Sequence, residues 1–328
     1  MFDNELQLFV LNSSRAFGEQ VARWLDMAPG AHEERDFEDG EHRARPLDSV
    51  RGNDVFVLQS LYGDARQSAN DKLCRLLFFI GALKDGGAAR VTAVLPYLAY
   101  ARNDRRGNPG EPVTTRYVAA LFEAVGTDAV LALDVHNLAA YQNAFRCCTE
   151  HLEASRLFVK YFAPLLRGRE VVVVSPDAGS IKRAEQFRLS LAQVLDKPVS
   201  GAIVEKHRVS GVVSGEMLVG EVKGREAIIV DDMISTGNTL ARSVRACRAA
   251  GAGRVYAAAT HGLFAGDAQT LLADGALERI VVSDSVPAFR LEPGAVKAKL
   301  TVLSCSALFA EAIECLHGGV PRGDLLMS

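Results

Sequence analysis

Glu226-Ala227-Ile228-Ile229-Val230-Asp231-Asp232-Met233-Ile234-Ser235-Thr236-Gly237-Asn238-Thr239-Leu240 reads as a buried strand, two acids, and a small-residue turn that opens a helix. Ala227 to Val230 are apolar and mostly β-branched, as in a strand covered on both faces, while Leu240, Val244 and Cys247 recur at helical spacing. The turn therefore lies at a helix N-terminus. Backbone N–H groups from Ser235 to Thr239, with the positive end of the helix dipole, suit a phosphate dianion, and the Ser235, Thr236 and Thr239 hydroxyls add donors. Asp231 and Asp232, placed by this reading at the carboxyl end of the strand, suit sugar hydroxyls or a hydrated magnesium ion. No Gly-Lys-Ser/Thr follows, so the turn is not a Walker loop. A single turn of this kind often uses serine or threonine only as a cap. The paired carboxylates argue for a ligand.

At 328 residues and 48% hydrophobic content, the chain can bury two cores, and two α/β domains are expected. A formal charge of −3 gives no general attraction to nucleic acid or an anionic membrane. Six cysteines without a CxxC pair fit a reduced compartment. The first residues lack a basic segment followed by an apolar one, and no apolar run approaches membrane-spanning length. These features set the expectation of a cytoplasmic protein.

The chain echoes itself. Gly87-Ala88-Ala89-Arg90-Val91 returns as Gly251-Ala252-Gly253-Arg254-Val255, and Arg51-Gly52-Asn53-Asp54-Val55 as Lys223-Gly224-Arg225-Glu226-Ala227. Two copies of one βαβ unit account for both echoes and predict mostly parallel sheets flanked by helices, with ligands at the carboxyl ends of the strands. Further strands are expected over 6–12, 129–135, 171–175, 201–205 and 280–283. Helices are expected over 14–27, 68–81, 114–125, 181–195 and 306–317. The division expected is 1–152, 153–305 and a final helix within 306–328 that returns to the first domain.

Other polar clusters sit in loops. Phe37-Glu38-Asp39-Gly40-Glu41 is one, and Arg102-Asn103-Asp104-Arg105-Arg106 follows an apolar strand with guanidinium groups suited to polyphosphate. His136 ends a strand, and the turn Asp177-Ala178-Gly179-Ser180 offers a second backbone nest for anionic oxygens; His136 and Asp177 suit a shared magnesium ion or its waters. Lys206 and Arg208, two apart in an extended segment, share one side of it and suit charge that develops on a transferring phosphoryl group. Each cluster alone reads equally well as solvated surface.

The stretch from Asp231 to Thr239 resembles the ribose-phosphate loop of the type I phosphoribosyltransferase fold. Taken with Tyr100 to Asp104, Asp134 to His136, Ser175 to Gly179 and Glu205 to Arg208, the chain from about Phe37 onward resembles ribose-phosphate pyrophosphokinase, with two similar phosphoribosyltransferase-like domains. The resemblance implies transfer of the β,γ-pyrophosphoryl group of Mg-ATP to the C1 hydroxyl of ribose 5-phosphate, giving phosphoribosyl pyrophosphate and AMP. It implies that Phe37, Asp39, Glu41, Arg102, Asn103 and Asp104 bind ATP, and that Lys206 and Arg208 are catalytic. It assigns Asp231, Asp232, Ser235, Thr236, Gly237, Asn238 and Thr239 to ribose 5-phosphate, Asp177 to Ser180 to pyrophosphate, and His136 and Asp177 to Mg2+. Homo-oligomers are the family habit, with Phe37 to Glu41 facing a neighbouring subunit. Many bacterial and animal members carry aspartate at Ser235, glutamine at Asn103 and glycine at Ser180. Ile234 to Gly237, Glu205 to Arg208 and Asn108 to Pro112 look like the archaeal branch. A non-catalytic homologue and a base-specific phosphoribosyltransferase are the alternatives; the joint presence of Lys206, Arg208, His136 and Asp177 favours the synthase.

Overall fold

The echoed glycines are joints of the fold in the computed structural model, which describes residues 4–209, 212–273 and 275–319. Gly52 and Gly87 take φ of 79° and 88°, and Gly224 and Gly251 take 72° and 83°. Gly52 N–H donates to the Gly87 carbonyl at 2.9 Å, and Gly224 N–H to that of Gly251 at 2.8 Å. Asn53 N–H to Val50 and Arg225 N–H to Val222 repeat at 3.1 Å. Left-handed backbone at both partners is what glycine adopts without a Cβ penalty. The sequence echo is therefore a structural repeat.

Residues 1–152 with 305–328 form one compact unit, and 153–304 another. The first contains β1 (Leu6–Val10), α1 (Arg15–Trp24), β2 (His32–Asp36), β3 (His42–Pro46), β4 (Asp54–Leu58), α2 (Ala69–Asp85), β5 (Arg90–Leu95), α3 (Thr114–Ala124), β6 (Ala129–Leu133), α4 (Leu138–Ala144) and β7 (Cys148–Leu152). The second contains α5 (Ser155–Leu166), β8 (Val171–Ser175), α6 (Ile181–Leu195), β9 (Ser200–Val209), β10 (Val212–Val219), β11 (Glu226–Ile234), α7 (Asn238–Ala249), β12 (Val255–Gly262), α8 (Ala268–Leu271), β13 (Leu277–Ser283), α9 (Ala295–Ala298) and β14 (Leu300–Leu303). The last helix, α10 (Ser306–Gly318), belongs to the first unit. There Phe309 meets Phe17 of α1 edge-on at 5.6 Å, Trp24 Nε1 donates to Ser306 Oγ at 3.2 Å, and His317 Nδ1 lies 2.8 Å from the fully buried Asp54 carboxylate.

The first unit's main sheet runs β1-β4-β5-β6-β7, all parallel. The second runs β10-β9-β8-β11-β12-β13-β14 and is parallel except for its β9–β10 edge pair. Without that edge, both sheets have one strand order, with β4 in the place of β11. Central strands such as β4, β6 and β8 are buried at every residue, as parallel strands covered on both faces require. No helix among the described residues is long and apolar enough to cross a membrane.

The structure departs from the sequence reading in places. The first helix stops at Trp24 rather than Met27, since Asp26 takes a left-handed φ of 50°. And β2 and β3 form an antiparallel hairpin where only a polar loop was expected. Its strands, His-Glu-Glu-Arg-Asp and His-Arg-Ala-Arg-Pro, lack apolar alternation, and they are fastened by charge together with ring contacts of His32 and His42 to Phe9, Phe79 and Phe78. Arg75 of α2, 4% exposed, reaches Glu34 at 3.3 Å and pairs with Asp36, while the Asn12 N–H donates to Glu34 at 2.6 Å.

Burial alone would raise the Glu34 carboxyl, but bonds from His32 and the Asn12 amide and the charge of Arg75 hold it below its ordinary value. Arg75→Met is expected to cost about 1–3 kcal/mol, because it removes a buried cation from Glu34 while the bonds from His32 and the Asn12 amide remain. A carboxyl depressed on folding stabilises above its ordinary range and loses that contribution as pH falls. The cost, read from urea midpoints, therefore shrinks in acid; an equal cost at pH 7 and pH 3 would contradict this account.

Candidate active site

In the second unit β11 carries the chain through Asp231 and Asp232 to Ile234. The acids thus lie within the strand, not at its end as the sequence reading placed them. Strand β12 explains the difference: it runs alongside, with Ala259 opposite Asp231 and His261 opposite Met233, and its ladder outweighs the low strand propensity of aspartate. Ser180 Oγ donates to Asp231 Oδ1 at 2.8 Å, and the Asp232 N–H donates to the same oxygen at 2.9 Å. Asp232 is 5% exposed. Burial first, and the neighbouring Asp232 second, push the Asp231 carboxyl up to about 7, against the Ser180 bond. A carboxylate so placed is relieved by hydroxyl donors or by a cation.

Past Ile234 the chain turns. Gly237 takes φ of 81°, and a Cβ there would come 3.2 Å from Leu272 Cγ, so both conformation and space call for glycine. The entrance to the turn is held by the segment after β12: Leu263 and Phe264 N–H donate to the Ile234 carbonyl at 2.9 and 3.0 Å, and Ala265 N–H to Ser235 at 2.9 Å. Nothing local in the sequence marks that brace. Thr236 and Asn238 are exposed, with Asn238 Nδ2 donating to Thr236 Oγ1 at 3.1 Å, whereas Ser235 and Thr239 are half-buried.

The repeat supplies an internal comparison. In the first unit Gln59 and Ser60 follow β4 where Asp231 and Asp232 stand in the second. Helix α2 opens on Ser68, whose hydroxyl accepts the Asp71 N–H at 3.2 Å while the Asp71 carboxylate accepts the Ser68 N–H at 2.7 Å, a complete capping box. Its N-terminus already holds an acid. Helix α7 opens on Gly237, with no side-chain cap. Of the two related helix ends, α7 is the one shaped for an external anion.

The turn Asp177 to Ser180 follows β8. Asp177 Oδ1 accepts the N–H groups of Gly179 at 2.9 Å and Ser180 at 3.2 Å, so the carboxylate occupies the amides that the sequence reading offered to an anion. Ala178 and Gly179 are exposed, and Ser180 faces Asp231. Lys206 and Arg208 lie in β9, opposite Glu216 and Val213 of β10; their side chains fall outside the described residues.

In the first unit the cationic loop is pinned at its base. Thr115, at the start of α3 and 4% exposed, donates its hydroxyl to the carbonyls of Tyr100 at 2.9 Å and Asn103 at 3.1 Å. Tyr100 takes φ of 63°, uncommon for a bulky residue, and its hydroxyl bonds to Asn70. Arg102, Asn103, Arg105 and Arg106 are exposed. Glu111 accepts the N–H groups of Gly107 at 2.8 Å and Asn108 at 2.9 Å, closing the following loop on itself.

Strand β6 ends at Leu133, two residues before the sequence reading, since Asp134 takes φ of 40°. Val135 N–H donates to His151 Nε2 at 3.2 Å, and His136 beyond it is exposed. His136 and Asp177 belong to different units. Phe37 to Glu41 connect β2 and β3: the Phe37 N–H donates to the Glu41 carbonyl at 2.9 Å, the Glu41 N–H to Asp39 Oδ1 at 3.1 Å, and Arg35 lies over the Phe37 ring at 5.2 Å.

Residues 6–126 match the model of the N-terminal domain of ribose phosphate pyrophosphokinase, and 214–326 that of the phosphoribosyl synthetase-associated domain. A ribose-phosphate pyrophosphokinase of Caldanaerobacter subterraneus subsp. tengcongensis is 37% identical over 99% of this chain and 98% of its own. Ribose-phosphate pyrophosphokinase 1 of Listeria innocua is 37% identical over 96% of this chain and 95% of its own. The crystal structure of phosphoribosylpyrophosphate synthetase from Mycobacterium smegmatis superposes with a TM-score of 0.85 at 36% identity, covering 96% of this chain and 99% of the other.

Proposed function

Because the chain belongs to the ribose-phosphate pyrophosphokinase family, we propose that it transfers the β,γ-pyrophosphoryl group of ATP to the C1 hydroxyl of ribose 5-phosphate, with the work divided between its two repeats. The observation that carries the division is the contrast between α2, closed by Ser68 and Asp71, and α7, opened by Gly237 beside two acids. The 5-phosphate rests on the first amides of α7 and on Ser235, Thr236 and Thr239, and Asp231 and Asp232 accept ribose hydroxyls. Arg102 and Asn103, with Phe37, Asp39 and Glu41 of the hairpin turn, serve ATP.

Among the described residues no three His, Cys, Asp or Glu side chains form a metal cluster. Magnesium binds through one or two carboxylates together with phosphates and water. Asp177 and His136 are the residues assigned to it, Asp177 using its Oδ1 to accept two amides of its own turn. When bound, the ion draws charge from the phosphates and leaves the β-phosphorus open to attack. The C1 oxygen bonds to that phosphorus, the bond to the α-phosphate oxygen breaks, the hydroxyl proton is released, and AMP departs. Lys206 and Arg208 neutralise oxygens of the moving group as its charge spreads. A cytoplasmic homo-oligomer belongs to the same reading.

Incubation with magnesium, ATP and ribose 5-phosphate is expected to give AMP and phosphoribosyl pyrophosphate in equal amounts, separated by ion-exchange chromatography. Formation of ADP, or release of pyrophosphate only when a nucleobase and phosphoribosyl pyrophosphate are supplied, would overturn the reading.

A further inference from the structure

Asp104 sits in the cationic loop, where the family resemblance implies a nucleotide contact. Its carboxylate Oδ2 instead accepts Asn137 Nδ2 at 2.7 Å. Asn137 directly follows His136 and is the N-cap of α4, with its Oδ1 accepting the Ala140 N–H at 3.2 Å. One amide orientation satisfies both bonds: the oxygen must face the helix amide and the nitrogen must face the acid. Asn137 thus ties the loop that follows β5 to the turn that follows β6, and Thr115 fixes the same loop from its other side. Nothing in the local sequence joins residues 33 positions apart.

We propose that Asn137 is a positioning residue for ATP, which holds the Arg102 to Arg106 loop in register with His136 through Asp104, and that Asp104 is an anchor of that loop and not a nucleotide contact. This rests on the reading of the first unit as the nucleotide side. A loop ordered before ATP arrives costs less to order during binding, so loss of the tie weakens ATP without touching the sugar.

The two duties of Asn137 separate cleanly. Asn137→Ser retains a capping oxygen but is too short to reach Asp104, whereas Asn137→Asp retains the cap and sets two carboxylates against each other. Steady-state kinetics are to be measured for both variants, for Asp104→Asn, and for the double variant Asp104→Asn/Asn137→Asp, which restores the bond with donor and acceptor exchanged. The expected result is a KM for ATP raised about 3- to 10-fold in Asn137→Ser and further in Asn137→Asp, the KM for ribose 5-phosphate and the thermal midpoint holding near wild type. The double variant is expected to return within about 2-fold of wild type. If Asp104 touches the nucleotide itself, the double variant will stay as impaired as Asn137→Asp, and the proposal falls. It also falls if Asn137→Ser leaves the KM for ATP unchanged. Failure of the functional reading shows separately, as wild-type protein that forms no AMP.

Discussion

Lys206→Ala is expected to lower kcat by about a thousandfold while moving the KM for ATP by less than about 3-fold. The reasoning starts from the charge of the reaction. As the β,γ group leaves the α-phosphate, negative charge gathers on the bridging and peripheral oxygens, and a cation that meets it only then acts on rate rather than on affinity. Lys206 and Arg208 stand two residues apart in β9, which pairs with β10 on either side of a register shift between Val213 and Gly215, and β10 is the antiparallel edge that the first unit's sheet lacks. That addition to the repeated plan accords with a role specific to one repeat. Single-turnover quench experiments give the split. Equal losses in binding and in turnover would assign Lys206 to ground-state binding alone.

Asp231→Asn is expected to raise the KM for ribose 5-phosphate by about 10- to 100-fold and yet to stabilise the protein at alkaline pH. If Asp231 accepts the sugar hydroxyls as proposed, the first effect follows from exchanging a carboxylate acceptor for a neutral one. The second follows from the carboxyl being pushed up to about 7 by burial and by Asp232. A group raised on folding stabilises below its ordinary value near 3.8 and loses that contribution as pH climbs through the folded value. At pH 8 the wild type carries a buried Asp231 carboxylate beside Asp232 and the asparagine variant does not, so the variant is the more stable of the two there. At pH 4 the difference disappears. Urea midpoints at both values check the sign, and a variant less stable than wild type at pH 8 would contradict it.

Much of this was written locally in the chain. The strand, turn and helix around Gly237 were legible because a β-branched run, small polar residues and a helical period follow one another without interruption. The repeat was legible because Gly52, Gly87, Gly224 and Gly251 each occupy a left-handed joint that few other residues accept. The likeness to the pyrophosphokinase family rested on short motifs in order, and the full-length relatives bear it out.

What stayed hidden depends on partners distant in sequence. The hairpin of β2 and β3 has no apolar alternation, and Arg75 from α2, the Asn12 amide and the phenylalanines against His32 and His42 hold it. The extension of β11 through its two acids depends on β12, and the brace at Ile234 and Ser235 comes from residues 263–265. Asp177 was read as part of an anion nest, and its own carboxylate fills two of that nest's amides. The bond between Asp104 and Asn137 joins residues from separate loops, and only three dimensions show it.

The claim that the α7 end, and not its α2 counterpart, receives the sugar phosphate is most directly tested by amide hydrogen exchange with and without ribose 5-phosphate. Slowed exchange confined to residues 235–240 and the neighbouring acids, with 68–72 unchanged, is the predicted result. Protection at 68–72, or none at 235–240 under saturating sugar phosphate, would contradict the account.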